Sequence, residues 1–194
     1  MNPRIEPVKY PTTEVPQILP KGWTYAGKPF NAARTRPFNA ARTMAHHPKL
    51  LNRFTVFTGT FLTDSTLPPR DRELLTLRAC YRTGTDYYFG HHVLQGEAAG
   101  LDRELALAVA DPDFQWTAED ALLLRAADEL TAQNGLSDST WKALAERYEN
   151  DQLIELLFVV GFYRMESCFA NTLRIRREPS VPPIPCPKGA GHAG

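Results

Sequence analysis

The distribution of proline is the feature that most limits what this chain can fold into. Seven of its 16 prolines lie within the first 37 positions, and five more lie between positions 179 and 187. Proline fixes the backbone angle φ and removes an N–H donor, so proline-rich segments run extended rather than helical. The sequence therefore predicts a proline-rich N-terminal arm over residues 1–37, a folded domain over 38–177 and a proline- and glycine-rich C-terminal tail over 178–194.

Within the folded domain, apolar side chains recur with the period of an α-helix, and strand signals are absent. Trp141, Leu144, Ala145 and Tyr148, for example, have the i, i+3, i+4, i+7 spacing of one amphipathic helix face. Capping residues and glycines mark the ends of the helices. This pattern predicts an all-α, compact bundle of about seven helices with extended arms. The predicted helices cover residues 44–63, 69–83, 86–99, 102–110, 117–134, 137–149 and 151–175.

The composition argues against several classes of function. The chain has 22 basic and 22 acidic residues, and only one short basic cluster, over residues 174–177, so no nucleic-acid partner is expected. The most apolar stretch, 153–163, is shorter than the ~18 residues that a membrane-spanning helix needs. The three cysteines have no paired spacing, and the N-terminus has no secretory signal. We therefore expect a cytoplasmic protein with no membrane partner.

An octapeptide is repeated near the N-terminus. Residues 29–36 and 37–44 agree at seven of eight positions. Repeat architectures need several copies of a longer unit, so this pair indicates a local duplication rather than an array.

The segment 72–92 carries the residues best suited to chemistry. It joins two predicted helices through a tight turn, and an antiparallel pairing of these helices brings Glu73 close to His92. Thr85, Tyr88 and His92 share one stripe of the second helix. An imidazole held by a carboxylate can accept and donate protons near neutral pH. The spacing alone is also compatible with a core histidine bonded to the backbone, or with a solvent-facing one.

Other polar residues are open to two interpretations. Arg82 and Arg164 could bind a substrate carboxylate through paired hydrogen bonds, or be solvated or paired with acidic residues. The Tyr88 phenol could donate to a substrate carbonyl, or pack as an ordinary aromatic. The histidine pairs 46–47 and 91–92 diverge by about 100° on a helix, so no metal site is expected.

A series of motifs between Asn39 and Leu173 occurs in an order that is typical of one family. They are Asn39, Arg42-Thr43, Ala45-His46-His47-Pro48, Arg72-Glu73-Leu74, Arg82-Thr83-Gly84, His92, Ala99-Gly100-Leu101, the run 125–130, Trp141 and Gly161-Phe162-Tyr163-Arg164-Met165. In these motifs the chain resembles the carboxymuconolactone decarboxylase family, which also contains the AhpD-type alkylhydroperoxidases. The resemblance implies an all-α, AhpD-like fold that assembles as homo-oligomers, either trimers or hexamers, with active sites near subunit interfaces.

The chain departs from the peroxidase branch of that family at two positions. Members of that branch carry a Cys-x-x-Cys pair ahead of the histidine, and here Thr85 and Tyr88 stand at those two positions. Peroxide reduction needs a thiolate nucleophile, so thiol peroxidase activity is not expected. Cys80 lies on the preceding helix and is interpreted as an inert, buried thiol.

The resemblance to the decarboxylase branch implies a cofactor-independent lyase or isomerase acting on a small carboxylate, lactone or keto acid. It implies His92 as the general acid/base and Glu73 as its orienting carboxylate. Tyr88, Thr85, Arg82 and Arg164 are the candidate substrate-binding residues, and no metal or other cofactor is expected. The alternatives are a family member that has lost catalysis and serves in binding or assembly, and an AhpD-like peroxidase.

Overall fold

The polypeptide is built from helices that begin and end at the residues expected to punctuate them. The structure, a computed structural model, describes residues 2–9, 24–25, 28–29 and 38–185. Over these residues the predicted all-α fold is confirmed, with one short antiparallel hairpin, Thr24–Tyr25 with Lys28–Pro29, in the N-terminal arm. The helices are α1 (Asn39–Met44), α2 (Pro48–Leu62), α3 (Pro69–Arg82), α4 (Asp86–Ala98), α5 (Arg103–Ala108), α6 (Ala118–Gln133), α7 (Asp138–Ala145) and α8 (Asn150–Leu173).

The first predicted helix, over 44–63, is wrong, because the structure divides this region into α1 and α2. Pro48 occupies the first turn of α2, where its missing N–H costs nothing, and the residue before a proline disfavours helical backbone. His47 accordingly leaves the helical region and accepts a hydrogen bond from the Leu50 N–H as the N-cap of α2. The described residues therefore form eight helices rather than about seven.

Two helix ends also differ from prediction. Helix α7 ends at Ala145 instead of 149, because Glu149 is the N-cap of α8 and forms a reciprocal capping box with Gln152. Helix α6 ends at Gln133, one residue before its predicted end, and Asn134 follows it in the left-handed conformation (φ 61°). The predicted starts hold, since the Thr117 and Ser137 side chains cap α6 and α7.

Helix α3 is the centre of the bundle and packs against α4, α6 and α8. Its apolar side chains Leu74, Leu75 and Leu77 have no exposed surface. Arg78 leaves this core at one edge and binds both carboxylate oxygens of Asp128 on α6 at 2.7 Å. Among the described helices, none combines the length and the apolar character that crossing a membrane requires.

Residues 2–9 of the N-terminal arm and residues 178–182 of the C-terminal tail lie against the helices. Arg4 donates its N–H to the Leu173 carbonyl oxygen at 2.9 Å, which ties the N-terminal segment to the end of α8. At the other end of the chain, residues 178–182 cross α4, where Gly90 lies directly beneath Val181 and Pro182. Most of the predicted arm 1–37, the first copy of the octapeptide and residues 186–194 lie outside the described residues. The domain boundaries remain predictions.

Candidate active site

Glu73 and His92 lie in contact where α3, α4 and α8 meet. Glu73 Oε2 is 2.6 Å from His92 Nδ1, and the two side chains are only 2% and 7% exposed. An ionised carboxylate can only accept, so Nδ1 donates and the neutral ring has its lone pair on Nε2. No described residue hydrogen-bonds to Nε2. The arrangement therefore holds the imidazole in one tautomer and leaves the second nitrogen available to exchange a proton.

The turn between α3 and α4 produces this contact. Gly84 takes the left-handed conformation (φ 63°) that closes the turn, and Thr85 N–H donates to the Cys80 carbonyl oxygen at 3.0 Å. The helices then run antiparallel, and Glu73 and His92 stand at nearly equal distances from the turn. The structure therefore shows the contact between Glu73 and His92 that antiparallel pairing predicts.

Arg72 completes the carboxylate side of the pair. Its guanidinium nitrogens Nε and Nη2 each lie 3.4 Å from Glu73 Oε1, the oxygen that does not face His92. The Arg72 side chain is 16% exposed, so a positive charge stands between the buried carboxylate and solvent. Arg72 is absent from the residues that the sequence predicts for the site, although it belongs to one of the family motifs.

Tyr163 of α8 covers the imidazole from the third side. Its ring centroid lies 4.6 Å from that of His92, with the rings nearly perpendicular at 80°. Burial, and secondarily the Glu73 charge, raise the pKa of Tyr163 well above its usual value, so the phenol stays protonated. Nothing in the spacing of α8 singles out this tyrosine, because it continues an apolar face.

Thr85 and Tyr88, the residues at the family's two cysteine positions, both carry buried hydroxyls. Neither hydroxyl has a hydrogen-bond partner among the described residues, and the same holds for Thr76 on α3. Buried hydroxyls without partners are uncommon in folded proteins and indicate a place for a ligand or water. We use the name polar seam for the cluster of buried side chains from α3, α8 and the first part of α4. Its members are Glu73, Thr76, Cys80, Thr85, Tyr88, His92, Tyr163 and Glu166.

Glu166 is a second buried carboxyl in the polar seam, and the sequence does not predict it. The residue is 4% exposed, and burial raises its pKa to about 7, with the nearby Tyr88 hydroxyl lowering it in part. The available signal is an acidic residue three positions after Tyr163, on the buried face of α8. Glu155 on the same helix gives a similar signal for a structural reason, since it accepts hydrogen bonds from Thr66.

The Cys80 thiol lies within the polar seam but is unreactive as a nucleophile. It has no exposed surface, and burial, followed by the charges of Glu73 and Glu166, raises its pKa well above the usual value. A protonated thiol is a poor nucleophile. The other cysteine among the described residues, Cys168, is exposed.

Arg82 and Arg164 are not brought to the imidazole. Arg82 Nε lies 3.4 Å from an Asp128 oxygen, and Arg164 donates to the Leu130 carbonyl oxygen at 3.2 Å and to the Asn134 side chain. Both arginines line an open surface hollow of about 550 Å³ that neither Glu73, Tyr88 nor His92 lines. Their role in substrate binding remains a prediction. The other lining residues are Thr83, Thr131, Ala132, Ser167, Cys168 and Asn171.

The remaining histidines of the two pairs serve the fold. His46 Nε2 contacts the Glu6 carbonyl oxygen at 2.9 Å, His47 caps α2, and His91 Nε2 lies 2.8 Å from Glu178 Oε2. Within the described part of the chain, no group of three or more His, Cys, Asp or Glu side chains is arranged to hold a metal ion.

The described helices form an AhpD-like all-α fold. The model of the carboxymuconolactone decarboxylase family matches residues 48–129, the segment that contains Glu73 and His92. This match confirms the resemblance that the motifs predict. No curated protein sequence matches the chain.

Two solved structures share the fold. One is an uncharacterized peroxidase-related protein from Silicibacter sp. TM1040, with 17% identity, a TM-score of 0.67, and coverage of 74% of this chain and 78% of that one. The other is a cysteine-to-alanine variant of the debrominase Bmp8 in complex with 2,3,4-tribromopyrrole, with 19% identity, a TM-score of 0.70, and coverage of 92% and 94%. At these identities the likeness establishes the fold alone.

Proposed function

We propose that this protein is a cofactor-independent lyase or isomerase that uses His92 as a general acid/base on a small carboxylate, lactone or keto-acid substrate. The observation that carries the proposal is the 2.6 Å contact between buried Glu73 Oε2 and His92 Nδ1, while no described residue hydrogen-bonds to Nε2. The family match over residues 48–129 supports it.

The proposed reaction is proton transfer beside a carbonyl group. In a decarboxylation, the bond between the α-carbon and the carboxylate breaks, carbon dioxide leaves, and the electron pair remains as an enolate. Protonated His92 Nε2 then delivers its proton to that carbon. In an isomerisation, neutral Nε2 first removes a proton from the carbon and later returns one to a different position. In both cases Glu73 stabilises the positive ring.

The hydroxyls of Thr85 and Tyr88 have no hydrogen-bond partner within the described part of the chain. They fit the second requirement of this chemistry, which is a donor for the oxygen that becomes negative. Burial, followed by the charge of Glu166, raises the pKa of Tyr88 well above its usual value, so the phenol is a donor throughout the physiological range. A donor in a water-poor site stabilises a developing oxyanion more than it would in water. The proposal assigns no step to Arg82 or Arg164.

Thiol chemistry is the competing candidate, because one structural neighbour is a peroxidase-related protein and the other a debrominase studied as a cysteine variant. In this chain Thr85 and Tyr88 stand where the family's thiols would be, and the buried Cys80 thiol is held protonated. Peroxide reduction or thiol-based dehalogenation would need a thiolate that can reach substrate. The third candidate, a non-catalytic assembly subunit, would leave the Glu73–His92 pair without a role.

The resemblance also implies assembly as a homo-oligomer, either a trimer or a hexamer. The cysteine spacing and the N-terminal sequence predict a cytoplasmic location, and we include both in the proposal. Large apolar side chains exposed along α2 and α8 support assembly, since neighbouring subunits would cover them. Sedimentation velocity would give the oligomeric state. The exposed side chains are Val56, Phe57, Ile154, Leu157, Phe158 and Met165.

The proposal is tested by screening aromatic-catabolite lactones and β-keto acids for loss of carbon dioxide or ring isomerisation. On any substrate that the natural protein converts, His92→Ala should lower kcat by about 10²- to 10⁴-fold, the usual contribution of a positioned acid/base. His47→Ala, an exposed N-cap histidine, is the control and should keep its turnover. Unchanged turnover in His92→Ala would contradict the proposal, and hydroperoxide turnover that depends on Cys80 would favour the thiol alternative.

A further inference from the structure

The surface hollow that Arg82 and Arg164 line is not used by the reaction described above. Its volume, about 550 Å³, is within the usual range for small-molecule sites. Neither Glu73 nor His92 lines it, so a molecule bound there would not meet the imidazole. Among the described residues that line the hollow, the two arginines are the charged ones, and no acidic side chain is present. The lining is therefore positively charged.

Arg164 carries a charge that no acidic side chain among the described residues balances. Its guanidinium donates to two uncharged oxygens, the Leu130 carbonyl oxygen at 3.2 Å and the side-chain oxygen of Asn134. Both hydrogen bonds use Nη1. The N–H groups on Nε and Nη2 donate to no described residue, so they can bind an anion in the hollow.

Arg82 contacts an acid that another arginine already neutralises. Asp128 accepts a hydrogen bond on each carboxylate oxygen from Arg78, both at 2.7 Å. Arg82 Nε lies farther away, 3.4 Å from one of these oxygens, and the Arg82 side chain is 44% exposed. Since one carboxylate cannot balance two guanidinium groups, a second positive charge is left at the edge of the hollow.

We propose that Arg82 and Arg164 form a binding site for a small organic anion that carries two negative charges on carboxylate or phosphate groups. Guanidinium groups bind both kinds of oxyanion through paired hydrogen bonds. The two unbalanced arginines match the charge of such a dianion. The Thr83 and Ser167 hydroxyls also line the hollow, but they lie 2.8 Å apart and bond to each other. The arginines therefore supply the binding, and the site is independent of the proposed function.

Cys168 makes occupancy of this site measurable. Its thiol is exposed and lines the same hollow. Iodoacetamide, an uncharged reagent, alkylates an accessible thiol: a carbon–sulfur bond forms and iodide leaves. An anion seated beside the arginines should slow this reaction by covering the sulfur. Cys80 has no exposed surface, and Cys186 lies outside the described residues, so mass spectrometry of the peptides assigns the label to each cysteine.

The experiment measures the rate of Cys168 alkylation in the full-length protein at constant pH and ionic strength. The probes are succinate and inorganic phosphate, and succinamide is the uncharged control with the size of succinate. We expect an anion to slow alkylation to a saturating limit and succinamide to leave the rate unchanged. Protection by succinate alone assigns the site to carboxylates, and protection by phosphate alone assigns it to phosphates. No protection by either anion, equal protection by succinamide, or a Cys168 thiol that does not react at all would overturn the inference.

Two arginine variants test which residues hold the anion. Arg82→Gln and Arg164→Gln each remove one charge, so each should raise the anion concentration needed for half-protection by about three- to tenfold. Arg125→Gln is the matched control, because Arg125 is an exposed arginine of α6 that does not line the hollow. Undiminished protection in both Arg82→Gln and Arg164→Gln would overturn the inference. If one variant fails to fold, the other decides. The assay involves no turnover, so its result is separate from the His92→Ala test of the proposed function.

Discussion

His91 and His92 are adjacent in the chain, yet each imidazole contacts a carboxylate from a different part of the molecule. His92 Nδ1 lies 2.6 Å from Glu73 of α3, whereas His91 Nε2 lies 2.8 Å from Glu178 of the C-terminal segment. Neighbours on a helix point about 100° apart, so α4 directs one ring into the polar seam and the other towards the chain end. The two histidines, each 6% exposed, therefore form a matched pair for mutagenesis.

Glu73→Gln should lower kcat while leaving the helices intact. The amide can donate to Nδ1, which permits the wrong tautomer, and it no longer stabilises the protonated ring. We expect a loss of at least about tenfold, and smaller than the 10²- to 10⁴-fold expected for removing His92 itself. Steady-state kinetics and far-ultraviolet circular dichroism would measure the two effects separately. A folded Glu73→Gln protein with undiminished kcat would show that the carboxylate is not the partner of a working acid/base.

Loss of the His91 contact should instead free the C-terminal segment. Glu178 accepts hydrogen bonds from His91 and from the Asn39 N–H at 2.7 Å. Burial alone would raise its pKa, but the His91 hydrogen bond and charge, together with the Asn39 N–H, lower it overall. His91→Gln should be cleaved faster by a protease near residues 178–185 at neutral pH, and its kcat should fall far less than that of His92→Gln.

The same contact gives a pH dependence whose sign follows from the lowered pKa. A carboxyl whose pKa is lower in the folded state adds stability above its unfolded pKa, near 4.3, and loses it as the pH falls through the folded value. The natural protein should therefore release the segment only in acid, and Glu178→Gln should already be cleaved at neutral pH. Equal cleavage of both proteins at pH 7 would contradict this role of Glu178.

Gly90 offers a steric test of how the C-terminal segment is seated. A Cβ atom on Gly90 would lie 2.0 Å from the Pro182 carbonyl oxygen and 2.5 Å from Val181 Cγ1, so the segment would have to move. We expect Gly90→Ala to lower the free energy of unfolding by about 1–3 kcal/mol. Gly161→Ala is the control: it is also helical, its Cβ meets nothing within 4 Å, and it should raise stability by about 0.5–1 kcal/mol. Equal Tm values for the two variants would show that Gly90 is not confined.

Much of this arrangement could be predicted from local sequence. The helices follow from apolar spacing, and the contact between Glu73 and His92 follows from their similar distances to the turn at Gly84. The division between α1 and α2 could also have been predicted, because Pro48 marks a helix start and His47 a cap. The prediction of a single helix over 44–63 is wrong because the apolar spacing continues across this break.

The rest of the site depends on contacts between residues far apart in the chain. Glu166 belongs to the site only because α8 packs on α3 and α4. The apolar spacing of α8 predicts a buried face, but it does not show which helices that face contacts. The partner of His91 is a residue of the proline-rich tail, 87 positions away. Arg82 and Arg164 lie in motifs that carry the family resemblance, but in the structure their side chains contact Asp128 and Asn134, which the sequence does not predict.

Glu166, the buried acid of the polar seam, also makes the stability of the protein depend on pH. The sign of this dependence is opposite to that of Glu178, because the pKa of Glu166 is raised and the pKa of Glu178 is lowered. In the unfolded chain Glu166 ionises near pH 4.5, whereas in the folded protein burial holds the pKa at about 7. The folded state thus binds more protons between these values, so its free energy of unfolding falls as the pH rises from 4.5 to 7 and then levels off. The difference corresponds to on the order of 3 kcal/mol.

Glu166→Gln should therefore gain stability relative to the natural protein across that interval, as measured by urea unfolding at several pH values. Glu97→Gln, which removes an exposed carboxylate whose pKa is lowered by the Arg103 hydrogen bond, should show no such gain. A stability difference between Glu166→Gln and the natural protein that stays constant from pH 4.5 to 8 would show that Glu166 is already ionised in the folded seam.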